Sequence, residues 1–351
     1  MIEIDGSVQE GGGQILRTAI SLSAITGKDC HIFNIRRRRE KPGLFPQHLL
    51  GIQAVNQLCN GRLEGDFLGS EEVKFSPGKI QSEELRLKID TAGSITLILQ
   101  ILTPVCLLAP GPVKIIIDGG ATNTFFSPTM DYFQYVFLKI LEKAGVKVEM
   151  SIAKRGYYPE GGAKIEAVIY PSKPAPYRNE ISGTGLKKIN LTERGQLRKI
   201  VAVSGSSESL KGKKVAERQI FGVREILGKL KLPIEEKIEY EKTLSPGSHI
   251  CLIAEFENTI IGADNLGKLG KRAEDIGKEA ALGLLKEEKS GACLDRHMAD
   301  QILPYLALAQ GKNQVSVSEI TGHAKTNVWV IEKFLDGKFE TKNNLILWNP
   351  S

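Results

Sequence analysis

The run TGHAKTN (residues 321–327) stands directly before the apolar, helix-like stretch VWVIEKFL and carries one of only five histidines in the chain. His323 follows Gly322 at what reads as a helix start. An imidazole there can pack or cap the helix, or it can serve as a nucleophile or general base. Attack on phosphorus needs an exposed, oriented, neutral ring with cations nearby, and a helix N-terminus lowers the imidazole pKa. The motif alone leaves these uses open.

Other stretches carry related chemistry. EGGGQILR (10–17) places three glycines at a helix start with Arg17 close behind. Such a loop is either a tight turn into a core helix or a place where backbone N–H groups meet an anion. Glu10 beside an anion site makes sense if a carboxylate holds Mg²⁺ or Mn²⁺ against phosphates. IRRRREKPGLFPQH (35–48) joins Arg36, Arg37, Arg38 and Arg39, with Lys41 beyond, to a helix opening at Pro46, Gln47 and His48. An arginine block is a solvated loop or a phosphate site, since guanidinium offers paired donors to phosphate oxygens. For His48 alone, packing or capping is the better reading. DTAGSITLILQ (90–100) and GGATNTFFSPTMDYF (119–133) look like ordinary small-residue turns, although Pro128 and its aromatic neighbours could sandwich a base. In DRHMADQILPYLALA (295–309) Asp295 reads as an N-cap, and His297 and Asp300 share a helix face.

Several classes are excluded. There is no GxxxxGK[ST] and no GxGxxG after a strand, so neither a P-loop nor a dinucleotide fold has support. The five cysteines are scattered without a CxxC pair, which argues against a disulfide framework or zinc site and fits a reducing cytoplasm. MIEIDGSVQEGGG has no apolar signal core, and the longest apolar stretch is broken by Gln100, Pro104, Pro110 and Pro112. A soluble cytoplasmic protein with no membrane partner is expected. The net charge of +6 is too mild to prove a nucleic-acid partner, so the local block says more than the total.

The elements that would position these groups repeat. Segments starting at Ile4, Leu87 and Gly291 each run small-residue loop, apolar helix, Gly-containing turn and β-rich strand, followed by a second helix. The implied unit is βαβαββ, about 80–90 residues long and used three times, an α/β (α+β) chain. Residues 181–284 do not fit and read as an inserted α/β domain, leaving 1–180 with 285–351 as the repeat body. Gly183, Gly185 and Ser290-Gly291 are the expected hinges. Equivalent loops open on one side of stacked repeats, so EGGGQ, the arginine block, GGATN and TGHAKTN are expected to converge on one cleft.

Taken together and in order, EGGGQILR, IRRRREKPGLFPQH, AGSITLILQ, RGYYPEGGA, ADQILPYLALA and GHAKTN resemble the RNA 3′-terminal phosphate cyclases, across essentially the whole chain. The resemblance implies three βαβαββ units, similar to the C-terminal domain of a translation initiation factor, plus an inserted domain. It implies ATP-dependent conversion of an RNA 3′-phosphate to a 2′,3′-cyclic phosphate through histidyl-AMP and RNA-adenylate, with AMP and pyrophosphate released. His323 matches the histidine of the family's HxxTN motif. Glu10 falls at the metal, Mg²⁺ or Mn²⁺. Arg17, Arg36, Arg39, Gln47 and His48 fall near the phosphates or the RNA end. Gln100, Pro128, His297, Asp300 and Gln301 fall around the nucleotide, with His297 where some members carry a tyrosine against adenine. RNA and ATP are the implied partners, and a homo-oligomer stays open. Three rivals remain: a non-catalytic superfamily member, a small-molecule transferase on related repeats, and a plain RNA-binding protein.

Overall fold

A parallel strand pair wrapped around a helix starts each of three sheets. The computed structural model describes residues 1–172, 184–230 and 232–351. In the first sheet, β1 (Ile2–Asp5) and β2 (Cys30–Phe33) run parallel on either side of α1 (Gly13–Thr26). Helix α2 (Pro46–Cys59) follows, then β3 (Arg62–Glu64) and β4 (Val73–Ser76) close the sheet in antiparallel fashion. Local chemistry sets these limits. Gly27 ends α1 at φ 69° with its N–H on Ser23 O, and Pro46 opens α2 at the position where its missing donor costs nothing.

The second sheet repeats the plan with β5 (Glu84–Ser94), α3 (Ile95–Cys106), β6 (Val113–Ala121), β7 (Lys147–Lys154) and β8 (Lys164–Tyr170). Its second helical segment runs through α4 (Met130–Tyr132), a π turn at Phe133–Phe137 and α5 (Leu138–Lys143). The third sheet uses β9 (Asn190–Leu191), β14 (Asn313–Ser316), β15 (Gly337–Lys342) and β16 (Leu345–Pro350). Strand orders β1-β2-β4-β3, β5-β6-β8-β7 and β9-β14-β16-β15 are the same arrangement. Helix α1 packs against α2, α3 and α10 (Gly322–Phe334), so a helix of the first unit touches helices of the other two. One hydrophobic cluster draws on all three units, from Ile4 through Ile117 to Trp348.

The chain between β9 and the helices of the third unit builds its own sheet, β11-β10-β12-β13. Its elements are β10 (Leu197–Ser207), α6 (Val215–Leu227), β11 (Ile234–Glu241), β12 (Ser248–Phe256), β13 (Ile260–Leu266) and α7 (Ala273–Lys289). Alternation along β10 explains its apolar run. Ile200 and Ala202 join the cluster under α6 and α7, while Val201 and Val203 face Tyr132 and Val136 of the repeat body. Sequence analysis placed KINLTER in this insert, but Asn190 and Leu191 pair in parallel with Gln314 and Val315. A two-residue strand has no periodicity of its own, so only the long-range partner shows which sheet it joins. Gly183 lies outside the described residues, as do residues 181–182 at the expected boundary.

A buried ionic cluster ties the insert to the second unit. Arg155 donates two hydrogen bonds to Asp131 at 2.7 and 2.9 Å and also reaches Glu239 and Glu241 of β11, while His249 of β12 stands 2.9 Å from Asp131. Burial pushes the Asp131 carboxyl up, but His249 and Arg155 outweigh it and hold the group well below the usual carboxylate range. Among the described residues, no helix is long and apolar enough to cross a membrane.

Candidate active site

Thr321, not His323, caps α10. Its hydroxyl accepts the Ala324 N–H at 3.1 Å, which leaves the His323 imidazole on the first turn, exposed to solvent and without a hydrogen-bond partner among the described residues. Desolvation lowers the ring's pKa below its ordinary value; Arg17 and Arg39 act in the same direction and Glu10 against them. At neutral pH the imidazole is therefore neutral, with its lone pair available.

The rest of the HAKTN stretch anchors this turn. Asn327 is fully buried; its Oδ1 accepts from the Thr18 hydroxyl at 2.7 Å and its Nδ2 donates to Asp300 O at 2.8 Å. The Thr326 hydroxyl donates to Gly322 O at 2.8 Å and lies 3.3 Å from Gln9 Oε1. Thr18 meets Asn327, and Glu10 meets Gly322, so α1 and α10 run side by side in the same sense. Their positive N-terminal ends therefore open on one cleft, an arrangement that favours an anion.

The glycines before α1 answer to side chains as much as to any ligand. A Cβ on Gly13 would sit 2.3 Å from His48 Nε2. The residue opposite, Gly322, is equally constrained: a Cβ there would lie 2.1 Å from Glu10 Oε1. The Glu10 carboxylate thus rests against the first residue of the His323 helix, 3.6 Å from Arg39 Nη2, while Arg39 also donates to Glu10 O at 3.0 Å. Gln9, Glu10, Arg38, Arg39, Gly322 and Lys325 line an open cleft. Arg38 belongs to the arginine block, whereas Lys325 was not singled out from the sequence; its place two residues from His323 on the same helical turn is the signal that could have found it.

His48 packs rather than projects. It is buried, its Nδ1 accepts the Phe45 N–H at 3.2 Å, and burial with Arg17 and Arg36 pushes its pKa down to about 3. Arg36 stacks 3.6 Å over the Phe45 ring and donates to Gly43 O, and desolvation lowers its pKa, with Arg39 adding to the effect.

A second, narrower cleft is lined among others by Gln14, Arg17, Gln100, Asp300, Gln301 and Tyr305. Arg17 bonds Gln14, and burial takes its pKa down to about 10 with Asp300 partly opposing. Burial lifts the Asp300 carboxyl to about 7 against the pull of Arg17 and His297. Gln100 donates to Gln301 Oε1 and Gln301 donates to His297 O, both at 2.7 Å, which links α3 to the short helix α8 (Met298–Gln301). His297 is exposed, with its ring edge-on to Tyr132 at 6.3 Å. Asp295 accepts the His297 and Met298 N–H groups, as an N-cap does, and also the Tyr132 hydroxyl and the Gly262 N–H of the insert.

Gln47 and Pro128 converge on the start of α3. Gln47 Oε1 accepts the Ser94 N–H at 3.0 Å, and Pro128 O accepts from the Thr96 hydroxyl at 3.0 Å. The GGATN loop does not line either cleft. Thr122 N–H bonds Gly156 O, and Asn123 Nδ2 lies 3.2 Å from His249 Nδ1, so this loop packs on RGYYPEGG and the insert instead. The insert occupies that side, which repeat symmetry does not anticipate.

No three His, Cys, Asp or Glu side chains gather as a metal cage among the described residues. Glu10 offers a single carboxylate to an open, cation-rich cleft. One carboxylate fits a Mg²⁺- or Mn²⁺-type ion whose remaining ligands are substrate phosphates and water.

The chain is similar to known proteins along nearly its whole length. A family model described as RNA 3′-terminal phosphate cyclase matches residues 8–341. RNA 3′-terminal phosphate cyclases of Pyrococcus abyssi and Pyrococcus furiosus are 43% and 44% identical, covering 97% and 98% of this chain and 95% and 96% of theirs. That of Sulfolobus acidocaldarius is 44% identical and covers 98% of both chains.

Proposed function

The chain belongs to the RNA 3′-terminal phosphate cyclase family, and from that premise we propose how its clefts perform ATP-dependent conversion of an RNA 3′-phosphate to a 2′,3′-cyclic phosphate. His323 attacks the α-phosphorus of ATP, forming an N–P bond while the bond to the departing pyrophosphate breaks. An oxygen of the RNA 3′-phosphate then displaces the histidine from AMP, forming a phosphoanhydride and freeing the imidazole. The vicinal 2′-oxygen attacks the 3′-phosphorus, loses its proton and expels AMP. Activation as an anhydride makes AMP the leaving group, which an unactivated monoester lacks.

The carrying observation is His323 itself: uncapped, exposed, neutral, and set at a helix N-terminus between Glu10, Arg17 and Arg39. Each step places charge on phosphate oxygens, where guanidinium groups and helix N–H donors are worth most. Arg39 serves the open cleft with Glu10, and Arg17 the narrower one with Asp300. Arg36 and Gln47 take the RNA end, with His48 as the buried support that shapes the glycine loop. Gln100, Asp300, Gln301, His297 and Pro128 surround the nucleotide. Glu10 would hold a divalent ion, which supplies Lewis-acid polarisation of the phosphates when bound.

The division into a repeat body, 1–180 with 285–351, and an insert, 181–284, is supported by their separate hydrophobic clusters, with the edge drawn after β9 rather than before it. The scattered spacing of the five cysteines, with no CxxC pair, supports a cytoplasmic setting.

The test uses an oligoribonucleotide bearing a labelled 3′-phosphate, incubated with protein and ATP. Cyclisation makes the label resistant to phosphatase and releases AMP. Label that stays phosphatase-sensitive, with ATP consumed or not, rules the reading out.

A further inference from the structure

Three aromatic rings, two of them on the loop that leads to Pro128, stand in solvent. Phe125 and Phe126 lie on the loop after β6 and Tyr158 on the loop between β7 and β8; their exposures are 44%, 103% and 60%. The Phe125 and Tyr158 rings meet edge to face with centroids 6.3 Å apart. Phe126 takes φ +64°, a left-handed conformation unfavourable for a bulky side chain. Leu244 of the insert, also exposed, borders the patch through Gly162, where a Cβ would sit 2.4 Å from Leu244 Cδ1. Holding these rings out of the core gives folding nothing, so the patch points to a partner.

Packing contacts lead from the patch to the helix that follows the arginine block. Arg36 stacks over Phe45, two residues before Gln47; Gln47 Oε1 accepts the Ser94 N–H, and a Cβ on neighbouring Gly93 would lie 3.5 Å from Gln47 Cβ. From there, a Cβ on Gly161 would lie 3.1 Å from Thr91 O, and the Gly161 N–H bonds Tyr157 O, next to Tyr158. Cations therefore stand at one end of this run of contacts, which passes through the buried Gly93 and Gly161, and bare rings at the other. Sites for single-stranded nucleic acid have this two-part make-up, a charged track for phosphates and ring faces on which any base can stack.

We propose that Phe125, Phe126 and Tyr158 form a stacking platform for the bases immediately 5′ of the RNA 3′ end. This rests on the assignment of the arginine block to that end. Occupancy by bases explains why the platform needs no charge of its own: the phosphates closest to the reacting end are met by Arg36 to Arg39. It also gives the chain a preference for a single-stranded terminus, because a paired end cannot open its bases onto three rings.

The test compares two ligands that share the reacting 3′-phosphate and differ only upstream: a short single-stranded oligoribonucleotide 3′-phosphate, read as substrate, and a nucleoside 3′-phosphate, read as competitor. Phe126→Ala and Tyr158→Ala should each raise KM for the oligonucleotide about tenfold with kcat nearly unchanged. The inhibition constant of the nucleoside 3′-phosphate and the rate of protein adenylylation by ATP alone should not move, and Phe126→Trp should restore the oligonucleotide KM. Equal losses for both ligands, or no loss for the oligonucleotide, overturn the platform. So does a change in sedimentation on substitution, which would make the patch a contact between protein chains. Failure of the unaltered protein to cyclise any RNA 3′-phosphate would instead remove the assignment beneath the proposal, and the adenylylation readout separates the two failures.

Discussion

Replacing Gly322 by alanine should separate activity from stability. The added Cβ would sit 2.1 Å from Glu10 Oε1, whereas ordinary contact begins near 3.4 Å, so the carboxylate must retreat by more than 1 Å. Glu10 is partly exposed and the clashing atom is the far end of its side chain, so the retreat costs the fold little. Gly322 has no positive φ and opens a helix, where alanine is favoured over glycine by up to about 1 kcal/mol. Unfolding stability should therefore stay within about 1 kcal/mol of the parent. A misplacement of about 1 Å at a reacting centre costs on the order of 100-fold in rate, or about 2.7 kcal/mol of barrier. Urea unfolding gives the first quantity, and single-turnover adenylylation with ATP and Mg²⁺ gives the second. A folded Gly322→Ala protein that adenylylates at the parent rate would refute the placement of Glu10 in the reaction.

Asn327→Leu breaks a buried hydrogen bond to Thr18 and a partly buried one to Asp300, and should destabilise the fold by about 2–4 kcal/mol while also slowing adenylylation; denaturant midpoints and rates check both. Arg155→Met takes two hydrogen bonds from buried Asp131, leaving His249 beside it, and should cost about 3–5 kcal/mol, seen as early loss of structure around the insert by hydrogen exchange. His48 has a folded pKa near 3 against 6.5 unfolded, so the folded chain refuses a proton that the unfolded chain accepts. Its stabilising effect is full above pH 6.5 and is lost as pH falls toward 3, at up to about 1.4 kcal/mol per pH unit; His48→Asn should flatten that part of the stability profile. The lowered pKa of His323 predicts that adenylylation persists on acidification and falls off below pH 6.5, measured as a rate against pH.

Much of this was legible because the signals are local. The small-residue loop, apolar helix and strand recur in the sequence at Ile4, Leu87 and Gly291, and their sheets share one strand order. His323 at a helix start was legible from Gly322 and the apolar run behind it. What stayed hidden depends on distant partners. Nothing near Asn190 and Leu191 says that they pair with Gln314 and Val315. Nothing in EGGG says that Gly13 makes room for the His48 ring. Thr321 could take the cap, freeing His323, only because its backbone is extended at the right residue, and the sequence offers several hydroxyls nearby. The GGATN loop was misplaced for the same reason, since the insert that draws it away lies more than a hundred residues on.

The central claim is that His323 carries AMP. Incubation with [α-³²P]ATP and Mg²⁺ or Mn²⁺, followed by acid and alkali treatment of the protein, reads it directly. Acid-labile, alkali-stable label on the parent protein and none on His323→Ala is the predicted result. Equal label on both, or none on folded parent protein that binds ATP, would contradict it.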